Sequence, residues 1–296
     1  MPIPESQLDT WSHQGSITQS SNTYQTIRDA LLSPNASYAD KSFEVFLQGS
    51  YANDTNIYAE SDVDVVIRLD SIFASNKDRF SPDERQAYDR CFSNATYSFS
   101  DFKSAVFSTL VSRFGNVAVN YGNKAITIKP EGSRRSADVI VCYQYRYYKK
   151  FDPSRTNDYT MGIIFTTTNG DIINYPKQHS DNLTSQHQST NRMLKPMVRI
   201  LKNMRSRMVD DSKLREGVAP SYYLESLFYN VPPGQYVTTS FGDTFCNGIK
   251  WIMSAERKKL VCANWQYYLL GNSNVQWNDA DFDTFLAAVC KLWKEW

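Results

Sequence analysis

Asp62-Val63-Asp64 opens one alternating apolar run, Asp138 opens a second, and Gly49-Ser50 follows a third. In an extended strand, residues two apart point to the same side. Asp62 and Asp64 therefore share a face, with Val66, while Val63, Val65, Ile67 and Leu69 take the other. Magnesium takes near-octahedral oxygen ligands, typically one or two carboxylates completed by water and substrate phosphates. Two such ions about 3.5–4 Å apart clamp the attacking and leaving oxygens of an in-line displacement at phosphorus. Asp62 and Asp64 would supply most of the protein ligands, and Asp138 on an adjacent strand would reach the ion that activates the attacking hydroxyl. Three carboxylates that close together repel unless cations neutralise them, so such a cluster implies Mg2+, with Mn2+ as its substitute. Gly49 has no Cβ to keep backbone N–H groups away from phosphates, and Ser50 can donate its hydroxyl to them. Each piece alone is ordinary, since Gly-Ser after a strand is usually a turn and D-x-D usually two solvated acids. The signal is the combination.

These residues need strands and turns to hold them. Ile17, Tyr24, Ile27 and Leu31 recur at near-helical spacing before Pro34 and predict an amphipathic helix. Phe43, Val45 and Leu47 alternate over residues 42–47, and residues 62–69 are the most strand-like segment of the chain. Residues 83–114 predict one or two helices, residues 125–128 and 137–148 two more strands, and residues 160–175 a hairpin whose turn is Asn169-Gly170. Beyond His179 the period becomes helical. Leu194, Met197, Val198, Leu201, Met204 and Met208 form an apolar stripe, with Pro196 expected to kink or offset the first turn. Further helices are expected over residues 221–229, 241–255 and 280–296. The fold class is α+β with two lobes: a mixed-sheet lobe over residues 1–180 and a mostly helical lobe over residues 181–296 that completes a cleft.

On the long helix, Arg192, Lys195, Arg199 and Lys202 fall on one face roughly opposite the apolar stripe, as a solvated basic face or as a phosphate contact. Ser221 opens the next helix, where an N-cap is the ordinary role of serine. His13, His179 and His187 are too few and scattered for a histidine-rich zinc site and are expected to be structural. Cys142 sits on a strand that reads as buried, where cysteine serves as a small hydrophobe. Tyr143, Tyr145 and Tyr147 alternate along that strand, with core packing favoured over a base pocket.

Composition narrows the function classes. The 296 residues are 41% hydrophobic and 21% charged, an ordinary globular balance. Thirty-two basic and 31 acidic side chains give a net charge of +1, which speaks against a broad sequence-independent grip on nucleic acid and leaves room for a local basic patch. Five cysteines, odd in number and without a C-x-x-C pair, fit a reducing compartment better than a disulfide framework or a structural zinc. With neither an apolar leader nor a run long enough to span a bilayer, no membrane association is expected and the location is expected to be cytoplasmic.

The Gly-Ser, D-x-D and later-strand Asp arrangement resembles the DNA polymerase β-like nucleotidyltransferase superfamily. More narrowly, the chain resembles the bacterial CD-NTases, relatives of cyclic GMP-AMP synthase and oligoadenylate synthase. The narrower likeness rests on Gly49-Ser50-Tyr51-Ala52-Asn53-Asp54-Thr55, on Ser61-Asp62-Val63-Asp64-Val65-Val66-Ile67 and on Ser136-Ala137-Asp138-Val139-Ile140-Val141. It extends to Tyr175-Pro176-Lys177-Gln178-His179, to residues 194–202 and to Pro220-Ser221-Tyr222-Tyr223-Leu224-Glu225, covering nearly all of residues 15–296. The resemblance implies a template-independent synthase that makes a cyclic di- or oligonucleotide second messenger from ATP, GTP or other nucleoside triphosphates. It also implies a product that activates a separate effector in antiphage defence, and a regulatory protein as a further partner. In that family a lysine on the long helix and a serine starting the next contact the triphosphate; the matching positions are Ser221 and, in preference to Lys195 on the same stripe, Lys202, whose surrounding Ile200-Leu201-Lys202-Asn203 resembles the family segment better. The rival expectations are nucleotide transfer to an RNA end, a small molecule or a protein, and a non-catalytic nucleotide-sensing scaffold.

Overall fold

The computed structural model describes residues 2–58 and 62–296. Ser61, which heads the D-x-D motif, lies outside the described residues. In chain order the elements are α1 (Glu5–Ser12), α2 (Ile17–Leu31), β1 (Phe43–Leu47), α3 (Gly49–Ala52), β2 (Val63–Ser75), α4 (Pro82–Cys91) and α5 (Phe99–Phe114). Then follow β3 (Val119–Tyr121), β4 (Ile126–Ile128), β5 (Ala137–Tyr147), β6 (Thr160–Thr167), β7 (Gly170–Asn174) and α6 (Pro176–Ser189). The chain finishes with α7 (Leu194–Asp210), α8 (Ser221–Tyr229), α9 (Phe241–Ser254) and α10 (Asp279–Glu295). Backbone contacts group these into two compact units, one of residues 1–17, 48–61 and 177–296, the other of residues 18–47 and 62–176.

The unit of residues 18–47 and 62–176 is built on a mixed sheet of order β1-β2-β5-β4-β3, with β6 joined to β5 and β7 to β6. The β2–β5 pair is parallel and the other pairs are antiparallel. A parallel pair needs a long crossover rather than a hairpin, and here the connection carries α4, α5, β3 and β4. The alternation in β2 sorts its side chains as expected. Val63, Val65, Ile67 and Leu69 are buried with Ile27 and Leu31 of α2 and Phe102, Val106 and Leu110 of α5. Val66, on the opposite face, packs with Cys142, Ile163 and Phe165. Cys142 is thus the small hydrophobe the sequence indicated, its thiol pushed up by burial and held as a thiol. Tyr145 is buried and packs edge-on against Tyr175.

Three local features differ from the sequence expectation. β2 runs to Ser75, past the expected end at residue 69, through a register shift between Leu69 and Phe73 that lets a strand bend without ending. β3 was not expected: only Val119 of its three residues is buried, which leaves no period to recognise. The β6–β7 turn consists of Thr168 and Asn169, and the positive φ, 102°, belongs to Gly170 rather than Asn169. Residues 83–114 resolve into two helices because Ser81 and Ser98 each cap a separate N-terminus.

The other unit is helical. The stripe on α7 is buried as expected, from Leu194 to Met208, against residues of α8, α9 and α10. Pro196 lies in the first turn of α7, where its missing N–H costs nothing, so it offsets no later turn. α6 starts at Pro176, three residues ahead of His179, with proline in the first helical position it favours. α1 escaped the sequence reading because Leu8 and Ser12 are its only buried residues, too few to show a period. Ile3 and Leu8 nonetheless pack in the helical core, which is why the N-terminal stretch groups with α7 and α9 rather than with the sheet. The helical unit therefore takes in residues 1–17 and 48–61 as well as the long helices. Among the described residues no helix is long and apolar enough to cross a membrane.

Candidate active site

On the sheet, Asp64 of β2 and Asp138 of β5 are direct partners in parallel register. Both are half-buried on the face that Val66 and Ile140 continue. Antiparallel pairing sets Thr127 of β4 opposite Asp138 from the other side, and its hydroxyl donates to Asp138 Oδ1 at 2.7 Å. One carboxylate oxygen of Asp138 is thereby tied down and the group cannot spin freely. Asp62 precedes β2 by one residue and is exposed. The structure thus brings Asp64 and Asp138 together through strand pairing. Among the described residues no three His, Cys, Asp or Glu side chains are set to hold a metal ion by themselves. Two carboxylates are what magnesium commonly takes from a protein, the remaining oxygens coming from water and substrate phosphates, so the donor set fits that ion.

In the helical unit, Gly49 and Ser50 begin the one-turn helix α3 that follows β1. Gly49 has φ 72°, a backbone state that only glycine adopts without strain, so the sequence demands glycine here for conformation as well as for access. The turn is closed by Asn53 N–H to the Gly49 carbonyl at 3.2 Å and Thr55 N–H to the Ser50 carbonyl at 2.9 Å. Beyond it the segment is fastened from several sides. Gln14 Nε2 donates to Asn56 Oδ1 at 2.8 Å, and Gly15 N–H to the Asn56 carbonyl at 3.0 Å. A Cβ on Gly15 would lie 2.7 Å from the Ile57 carbonyl carbon, so that close approach also requires glycine.

The basic stripe of α7 proves to be the clamp on this segment, not a solvated face. Lys195 Nζ pairs with Asp54 Oδ2 at 2.9 Å. Arg199 donates to the carbonyls of Asp54 and Ser12, and burial pulls its guanidinium down to about 10, still charged at neutral pH. Lys202 Nζ donates to the Thr55 carbonyl at 3.0 Å and is fully buried, at 0% exposure. Arg192 lies ahead of the helix with φ 64° and is exposed. Lys202 is thus an internal anchor of this segment, with no exposed surface.

Ser221 is the first residue of α8, and Pro220 occupies the N-cap, so Ser221 is no ordinary cap. Its Oγ accepts from Arg205 Nη1 at 3.0 Å, and Arg205 Nη1 also meets the Ala219 carbonyl at 3.0 Å. His179 is buried and bonded to Glu225 at 2.7 Å, a structural role as expected. His187 accepts from the Lys195 backbone N–H at 3.3 Å. Burial, then the Lys195 and Arg199 charges, push His187 down to about 4. Thr127 and Glu225 were not singled out from sequence. Thr127 sits in a three-residue strand, too short to show which face matters, whereas Glu225 left a legible trace as a lone acid among Leu224, Leu227 and Phe228.

A model of the cGAS/DncV-like nucleotidyltransferase C-terminal helical domain matches residues 181–294. The chain is 39% identical over 300 residues to the cyclic UMP-AMP synthase of Rhodothermus marinus, covering 100% of this chain and 99% of that protein. It is 36% identical over 302 residues to cyclic nucleotide synthase CdnE01 of Staphylococcus haemolyticus, covering 100% of both. The solved structure of Rhodothermus marinus CdnE c-UMP-AMP synthase with Apcpp and Upnpp superposes with a TM-score of 0.89 at 37% identity, over 100% of this chain and 98% of that one. The CdnE cyclic dinucleotide synthase of Elizabethkingia meningoseptica, solved with GTP and Apcpp, gives 0.76 at 28% identity, over 99% and 98%.

Proposed function

We propose a mechanism for a chain that belongs to the CdnE family of cGAS/DncV-like nucleotidyltransferases, the bacterial cyclic nucleotide synthases. The protein is a cyclic nucleotide synthase that builds a cyclic second messenger from nucleoside triphosphates. A sugar hydroxyl of one nucleotide attacks the α-phosphorus of another. The new O–P bond forms as the bond to pyrophosphate breaks, and the hydroxyl proton passes to solvent. A second such displacement, within the linear intermediate, closes the ring.

The observation that carries the mechanism is the direct pairing of Asp64 with Asp138. Nucleotidyltransferases of this family are typically metal-dependent, and Asp62, Asp64 and Asp138 are the residues we assign to Mg2+, or to Mn2+ in its place. When bound, such ions offset charge on the phosphates and lower the pKa of the attacking hydroxyl. The chain's own contribution is to present the carboxylates at a fixed spacing. Strand register fixes Asp64 against Asp138, and the Thr127 hydroxyl holds Asp138 at one oxygen. Gly49 and Ser50 supply N–H and hydroxyl donors to the triphosphate, and Ser221 and Lys202 are assigned to the leaving pyrophosphate by their family positions. Because Lys202 is buried on Thr55, its share of that role is electrostatic through the segment it clamps. The product is assigned to a separate effector in antiphage defence.

The test is incubation of the purified protein with all four labelled nucleoside triphosphates in Mg2+ or Mn2+, followed by phosphatase and mass spectrometry. A low-mass, phosphatase-resistant cyclic product is expected. Label carried only into RNA or protein would overturn the proposal.

A further inference from the structure

Glu225 is a carboxylate with no water to solvate it: 3% of its surface is exposed, in a helix whose neighbours Leu224, Ser226, Leu227 and Phe228 are buried. Its two oxygens nevertheless find four partners' worth of compensation. Thr55 Oγ1 donates to Oε1, Asn53 Nδ2 donates to Oε2 at 3.0 Å, and His179 Nε2 meets Oε2 at 2.7 Å. Lys202 lies close enough to act on it by charge. Burial alone would raise the Glu225 carboxyl, but the His179 hydrogen bond and the Lys202 charge outweigh it, and the group stays ionised.

The partners have a common direction. His179 comes from α6, Lys202 from α7 and Glu225 from α8; Glu225 and Lys202 hold residues 53–55 directly, and His179 braces Glu225. Thr55 in turn holds the Ser50 carbonyl through its backbone N–H at 2.9 Å, and Asn53 holds that of Gly49 at 3.2 Å. The core cluster around this network is largely apolar, and apolar contacts fix volume better than orientation. Charge-assisted hydrogen bonds fix direction. His179 is itself held flat on Tyr222, ring centroids 4.8 Å apart at 23°. One buried charge, braced from α6 and α7, thus sets the orientation of the segment that ends the Gly49-Ser50 turn.

We propose that Glu225 is a positioning residue for the synthase reaction, acting through Asn53 and Thr55 to hold the Gly49-Ser50 turn in its phosphate-binding conformation. The inference rests on the assignment of Gly49 and Ser50 to the triphosphate. It requires no contact between Glu225 and substrate.

The loop side of the network gives the cleanest test. Thr55→Val keeps the shape and removes the hydroxyl; Thr55→Ser restores it. Binding of inorganic tripolyphosphate, which avoids the question of base, is measured beside KM and kcat with an equimolar nucleotide mixture and beside thermal melts. Thr55→Val is expected to weaken tripolyphosphate binding and raise KM about tenfold, the scale of one hydrogen bond to a charged group, and Thr55→Ser to recover both. Asn53→Ala, which removes the other loop-side bond, is measured the same way in case Thr55→Val fails to fold. Wild-type tripolyphosphate affinity and KM in a folded loop-side variant, with only the melt lowered, would overturn the positioning role. Ser50→Ala separates the two ideas. If it weakens binding while Thr55→Val does not, the assignment of Ser50 stands and the positioning role falls. If Thr55→Val weakens binding and Ser50→Ala does not, the positioning role stands and the turn grips phosphate through its backbone donors.

Discussion

Asp64 and Asp138 stand opposite each other on the only described strands that run parallel. Parallel register makes their spacing a property of the sheet, not of two flexible side chains. Asp62→Asn combined with Asp64→Asn should therefore lower turnover by at least on the order of a hundredfold, the scale of losing a principal electrostatic element. The melt should not fall, because the change removes like charges and few contacts. Mn2+ should raise the wild-type melting temperature by mass action and leave that of the double variant unmoved. Turnover that survives in the variant with ample metal would end the assignment.

Thr127 holds one oxygen of Asp138 from the neighbouring strand. Thr127→Val keeps the β-branched shape and removes the donor. Partners of this kind typically contribute about 10- to 100-fold to activity, so kcat should fall within that range while KM for nucleotides stays near wild type. Steady-state kinetics read both. A change confined to KM would mean that Asp138 does not depend on the bond.

The two clamp lysines differ in what their loss leaves behind. Lys202→Ala strips a buried cation from beside buried Glu225 and from the Thr55 carbonyl, and should cost on the order of 3 kcal/mol. Lys195 pairs with Asp54, whose side chain is 57% exposed and can turn to water, so Lys195→Ala should cost about 1 kcal/mol or less. Chemical denaturation of the two variants ranks them. Equal losses would show that Lys202 is not the buried anchor of the segment.

His187 predicts an acid sensitivity with a defined sign. Burial and the Lys195 and Arg199 charges take it from the ordinary 6.5 down to about 4 in the folded chain. Between those values the unfolded chain binds a proton that the folded chain refuses, so stability rises with pH through the window and is lost on acidification. His187→Gln should flatten the slope between about pH 4 and 6.5 relative to wild type. Glu225 acts with the depressed-carboxylate sign, its stabilisation present above the ordinary carboxylate value and lost as pH falls through its lower folded value. Its signature therefore lies at the acid end of the His187 window and below it. Parallel wild-type and variant slopes would exclude His187.

The strand placement of Asp64 and Asp138 was legible because alternation is a local signal. Asp64 and Asp138 could be placed on strand faces from their neighbours alone, and pairing followed from the metal chemistry. The α7 stripe shows where that stops. Its spacing was right, yet the spacing of Lys195, Arg199 and Lys202 cannot say what packs on them, and the partner of Lys202 lies 147 residues away at Thr55. Still longer separations, 172 and 170 residues, hid Glu225, whose meaning depends on residues 53 and 55. Ser221 was placed correctly at the start of a helix, but proline ahead of it took the cap.

The discontinuity of the helical unit has a bearing on biosynthesis. Ile3, Leu8 and residues 53–55 are translated early, but the helices that bury them span residues 176–295. A nascent chain carrying only its sheet would hold Asp64 beside Asp138 while the Gly49-Ser50 turn still lacked Lys202 and Glu225. A fragment beginning at residue 177 would have the opposite defect, with buried Lys202 and Glu225 deprived of Thr55. The ribosome therefore delivers residues 53–55 well before the helices that hold them.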